Sequence, residues 1–196
     1  MVSGDDGLRR AVVWVACLNM AYFGVEFSVA ISIQSVALFA DSIDFLEDAS
    51  VNFLILVALG WSARQRARVG AGLACLLLAP GLAVLWTAWD KVQTFAAPAP
   101  VPLSLAAAGA LAVNLSCAFL LVRHRYHAGS LSRAAFLSAR NDALANVAIL
   151  AAAAVTAYWR TAWPDLVVGL GIAAINADSA REVWQAAHAE RIAAQP

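Results

Sequence analysis

Apolar residues fall into six long blocks, at about 11 to 33, 35 to 60, 69 to 89, 103 to 122, 134 to 158 and 165 to 181. Each is long enough to cross a bilayer core as a helix, which takes roughly 20 residues. Polar breaks separate several of them: "SARQRARVG" at 62–70, "DKVQTFAAPAPVP" at 90–102, "RHRYHAGSLSR" at 123–133 and "RTAWPD" at 160–165. The pattern predicts an all-α, polytopic membrane protein with six transmembrane helices. It divides the chain into an N-terminal segment 1–10, a transmembrane domain 11–184 and a short tail 185–196. The first block exceeds a signal-peptide core in length, contains Glu26 and lacks a small-residue cleavage site, so it is expected to remain in the protein.

Composition agrees with the pattern. Hydrophobic residues make up 62% of the 196, charged residues 13%, and the mean hydropathy is +0.73, leaving no room for a separate soluble domain. The formal net charge of zero speaks against a nucleic-acid partner, which calls for clustered basic residues. In an alternating topology eleven arginines, among them Arg9, Arg10, Arg64, Arg66, Arg68, Arg123, Arg125 and Arg181, fall on one side, while Lys91 and Arg160 fall on the other. Lys and Arg near span ends concentrate in the cytoplasm, so both termini are expected inside, in the cell (inner) membrane. Trp14, Trp61, Trp86, Trp89, Trp159 and Trp163 lie near span ends, where an interfacial aromatic belt sits. Cys17, Cys75 and Cys117 are odd in number, far apart and within apolar runs, and read as packing residues.

The second block, "ALFADSIDFLEDASVNFLIL", breaks the apolar pattern with Asp41, Asp44, Glu47 and Asp48. Spacings of three and four put the three aspartates on one helix face. At 1.5 Å per residue, Asp44 and Asp48 stand roughly 14 to 20 Å into a core about 30 Å thick. A carboxylate there costs at least ~2.5 kcal/mol to insert and needs a partner or a water-filled cavity. The fifth block supplies a second polar face, in which Ser138, Asp142 and Asn146 recur every fourth residue. Asp44, Asp48, Asp142 and Ser138 are thereby placed to enclose one cation, with Asp41 and Asn146 in support. Glu47 points partly away from the aspartate face and is assigned a supporting place. Glu26, seven residues after Asn19 on one face of the first helix, either lines the access path or is a packed acid. His124 and His127 read as solvated, and Asn176 and Asp178 as neighbours of Arg181.

Together these motifs resemble the cation diffusion facilitators, and the resemblance covers nearly the whole chain. "SVALFADSIDFLED" is similar to the family's second-span pattern, with Asp44 and Asp48 in the metal-binding places. Ser138, Asp142 and Asn146 align with its fifth-span pattern, and "WPDLVVGLGIAAINADSAREVW" at 163–184 looks like its sixth span. The resemblance implies export of a divalent metal (zinc, cadmium or cobalt) from the cytoplasm in exchange for protons, by a homodimer with no resident cofactor and no enzymatic activity. Two departures change the expectation. Ser138 stands where the family often has His, which leaves an oxygen-rich site and shifts the balance toward manganese or iron. Only about a dozen residues follow the last block, so a short form lacking the family's C-terminal cytoplasmic domain is expected.

Two acids one turn apart in a low dielectric disfavour double ionisation, so the metal-free site is expected to hold protons that a divalent cation displaces. Two other classes compete. "DxxDxxxD" resembles the magnesium–diphosphate motif of intramembrane prenyltransferases, but those enzymes need more helices and a second acidic cluster. A non-transporting membrane scaffold or partner subunit is the other.

Overall fold

The computed structural model describes residues 3–58, 82–122 and 129–193. Among them are six helical segments and no strand: α1 (Ser3–Ile33), α2 (Val36–Ala58), α3 over 82–94, α4 (Pro100–Val122), α5 (Gly129–Trp159) and α6 (Trp163–Ala193). Within the described residues the apolar blocks are helical, and α1, α4, α5 and α6 run beyond them; of the third block, 69–89, residues 69–81 lie outside the described residues. The third helix runs on to residue 94, carrying Asp90 and Lys91 inside it, and the break shrinks to 95–99. α6 continues to Ala193, through most of the stretch expected to be a tail.

α1 and α2 form an antiparallel hairpin, α4 and α5 form another, and α6 packs along α2 and touches α5. The direct contact between α2 and α5 is slight by comparison, so the two hairpins meet chiefly where α1 lies against α4. Small residues allow close approach, as is usual where helices associate in lipid. On α4, Ala106, Ala107 and Ala110 are buried. The Tyr22 hydroxyl occupies the space a side chain at Gly109 would need, and donates to the Ala106 carbonyl at 2.6 Å. A Cβ at Gly169 of α6 would stand 2.6 Å from the Val36 carbonyl carbon, so only glycine permits this crossing of α2. Large apolar side chains cover the outside, with Phe119 72%, Leu105 70% and Trp86 74% exposed, as lipid-facing surfaces require. Three described helices are long and apolar enough to cross a membrane, within α1, α4 and α5, and Trp163–Ala177 is a shorter apolar stretch. α2 shows why composition alone understates the count: residues 36–43 are all buried, yet four acids interrupt the run.

The described helix ends beside α2 close without glycine. α1 stops in a Schellman arrangement, with Gln34 at φ 53°, Ser35 N donating to the Ala30 carbonyl and Gln34 N to that of Ile31. Phe95 (φ 48°) and Arg160 (φ 47°) end α3 and α5 with the simpler single bond, to the Lys91 and Thr156 carbonyls.

Candidate metal centre

The acidic face of α2 meets the polar face of α1 in antiparallel register. Asn19 Nδ2 donates to Asp48 Oδ2 at 3.4 Å, and seven residues further along α1 Glu26 stands beside Asp41, seven residues earlier on α2. Seven residues is two turns, so one stripe on each helix serves both pairs. α5 closes the third side. Asp142 stands within charge-interaction range of Asp44, as do Asp41, Glu47 and Asp48. Asp48, Asp41 and Glu47 likewise bear on Asp142. Asp44, Glu47, Asp48 and Asp142 are partly buried, whereas Asp41, Glu26 and Asn146 are fully buried.

Asp41, Asp44 and Asp48 are spread over two turns of α2, with Asp142 and Asn146 of α5 facing them. Ser138 lies on α5 one turn before Asp142, but its side chain is outside the described residues, as are His124 and His127. Asn146 donates to the Asp142 carbonyl at 2.8 Å and to Asp41 Oδ1 at 3.5 Å, which ties it to Asp41. Among the described residues no three His, Cys, Asp or Glu side chains are drawn together as a preformed metal cage. Side-chain movement would be needed to close Asp44, Asp48 and Asp142 around one ion.

Hydropathy missed several participants. Asn52 is buried and donates to the Asp48 carbonyl at 2.7 Å, and the spacing 44, 48, 52 carries the acidic ladder one turn further. Cys117 of α4, fully buried, points its thiol at Asn19 Oδ1 at 3.6 Å and lies within electrostatic reach of Asp48 and Asp142. Asn176 reaches the Ala40 carbonyl at 3.5 Å, while the Asp178 side chain lies outside the described residues.

The largest correction concerns Lys91 and Asp165, which the pattern assigns to polar breaks. Both are buried, 3% and 0% exposed, and form an ion pair at 2.8 Å. Asp165 also accepts from Ser35 Oγ at 2.5 Å, Val36 N at 2.9 Å and Ala37 N at 3.2 Å. Ser35 Oγ in turn accepts from Leu38 N at 3.1 Å, so the first three amides of α2 are satisfied. Lys91 adds a bond to the Gln34 carbonyl at 2.6 Å. This clamp joins α3, α6 and the α1–α2 turn, and fixes the helix that carries the acids.

The geometry gathers acids inside a bundle of helices whose outsides are apolar. The chain belongs to the cation efflux family: the family model of the cation efflux transmembrane domain matches residues 12–187. It is accordingly a multi-pass membrane protein of the metal cation efflux class, a family of transporters rather than enzymes. No curated protein matches the chain.

Proposed function

We propose that the chain exports a divalent metal cation from the cytoplasm in exchange for protons, with Asp44, Asp48 and Asp142 as ligands and Ser138 completing an oxygen-rich set. One observation carries the reading. Asp44 and Asp48 of α2 and Asp142 of α5 are partly buried acids within charge-interaction range of one another, on helices whose outsides are apolar. Carboxylates so grouped inside a membrane are stabilised together only by a cation or by protons. Zinc, cadmium or cobalt are the cargoes the family suggests, and the absence of an imidazole at residue 138 favours manganese or iron. The arginine distribution supports an orientation with both termini in the cytoplasm of the cell membrane. A homodimer is the assembly proposed.

Metal uptake into proteoliposomes under a proton gradient tests the reading. Asp48→Asn removes a ligand while making α2 cheaper to bury, so transport should be lost and insertion retained. Transport by both Asp48→Asn and Asp142→Asn would remove the site. Because metal stabilises the ionised acids, its binding to detergent-solubilised protein should release protons and weaken as pH falls from about 8 to about 6. Binding indifferent to pH over that range would end the exchange mechanism even with the ligands intact.

A further inference from the structure

One helical turn from the aspartates assigned to the cargo, toward the α1–α2 turn, lies a second group that this assignment does not use. Glu26 from α1, Asp41 from α2 and Asn146 from α5 are all 0% exposed. Among the described residues, Glu26 Oε1 and Oε2, Asp41 Oδ2 and Asn146 Oδ1 are buried oxygens for which no hydrogen-bond donor is found. The two carboxyls are within hydrogen-bonding reach of each other, a bond that needs a proton on one of them; as two carboxylates they have no donor between them. The Asn146 amide nitrogen is turned onto Asp41 Oδ1, which sets the Asn146 side chain against the acids. Tyr22, whose phenol is close enough to feel both acids, gives its proton to the Ala106 carbonyl instead.

Buried acceptors are nearly always paired, because an unmatched one forfeits its water without compensation. Here three helices contribute them: the adjacent carboxyls of Glu26 and Asp41, and the amide of Asn146 that abuts Asp41. The complement of such a set is a positive charge. All donors are oxygen, with neither imidazole nor thiol, which suits a hard divalent ion, and two carboxylates match its charge.

We infer that Glu26, Asp41 and Asn146 form a second, oxygen-only cation site that takes a hard divalent ion such as Mn²⁺, one turn beyond the Asp44–Asp48–Asp142 level. The inference uses the export reading to place this site on the cargo's path: a step of about one helical pitch, 5.4 Å, carries an ion from one set of oxygens to the next. Its own existence is tested without transport.

The full chain in detergent is titrated with Mn²⁺ alone, following loss of the free-ion electron paramagnetic resonance signal. A triple variant, Asp44→Asn with Asp48→Asn and Asp142→Asn, removes the first site and should still bind a single Mn²⁺. Adding Glu26→Gln or, separately, Asp41→Asn should weaken that binding by about tenfold or more. Both replacements are close in shape and uncharged, so neither adds a burial cost, and elution as a single species checks the fold. No Mn²⁺ bound by the triple variant, the outcome if the pair carries only protons, overturns the inference, as does binding that both replacements leave unchanged. Equal Mn²⁺ stoichiometry in the wild type and the triple variant would instead defeat the assignment of the first site while leaving the second standing.

Discussion

Asp165 and Asp41 are both fully buried in the same bundle, and both border α2, yet their company is opposite. Asp165 is surrounded by donors: a lysine ammonium, a serine hydroxyl and two backbone amides. Asp41 has one donor at 3.5 Å, from Asn146, and beside it another acid. The first carboxylate is complete within the protein and ties three parts of the chain together. The second stands against another acid, with Asp44 a turn away. Burial is common to both; what differs is the balance of donors around them.

The strongest way to break this comparison is to remove one partner from each region. Lys91→Met leaves Asp165 buried without its counter-ion and should cost about 3–5 kcal/mol. The double variant with Asp165→Asn should recover most of the loss, since it removes the orphaned charge as well. Asp48→Asn, which removes one of the acids bearing on Asp44 and Asp142, should leave stability unchanged or slightly raised. Thermal unfolding in detergent compares the three, and a loss for Asp48→Asn equal to that for Lys91→Met would erase the distinction.

A smaller effect sharpens the chemistry of the acidic region. Ser138→His introduces an imidazole one turn from Asp142, and zinc gains more from a nitrogen ligand than manganese does. The ratio of zinc to manganese uptake in proteoliposomes should rise by about tenfold, about 1.4 kcal/mol. An unchanged ratio would place residue 138 away from the cation.

The acidic region was readable in the sequence because its signal is local. Asp41, Asp44 and Asp48 repeat at helical spacing within one apolar run, and so do Ser138, Asp142 and Asn146. The clamp was not readable, because its parts lie 74 and 130 residues apart and each sits at the end of a block, where a charge looks like loop. The same blindness hid Cys117, whose partner Asn19 is 98 residues away on α1. The ends of α1 and α5 fall where their blocks end, at 33 and within one residue of 158, while α3 overruns its block to 94. Gln34, Phe95 and Arg160 take a left-handed conformation that glycine ordinarily signals, and no glycine stands at any of the three.

Gln34 offers the finest test of how the clamp is built. Its carbonyl, not its side chain, accepts from Lys91, and the side chain is exposed. Its φ of 53° costs an ordinary residue roughly 1–2 kcal/mol, a strain that glycine does not feel. Glycine also loses more backbone freedom on folding, by roughly 0.5–1 kcal/mol, which offsets part of the gain. Gln34→Gly should therefore keep the Lys91 bond and stabilise the protein by about 0.5 to 1 kcal/mol, with metal transport unchanged. A rise in unfolding temperature with intact transport means that the turn is held by its backbone. A fall would show that the Gln34 side chain belongs to the clamp, and that the well-satisfied region of the bundle extends further toward the membrane surface than Lys91 and Asp165.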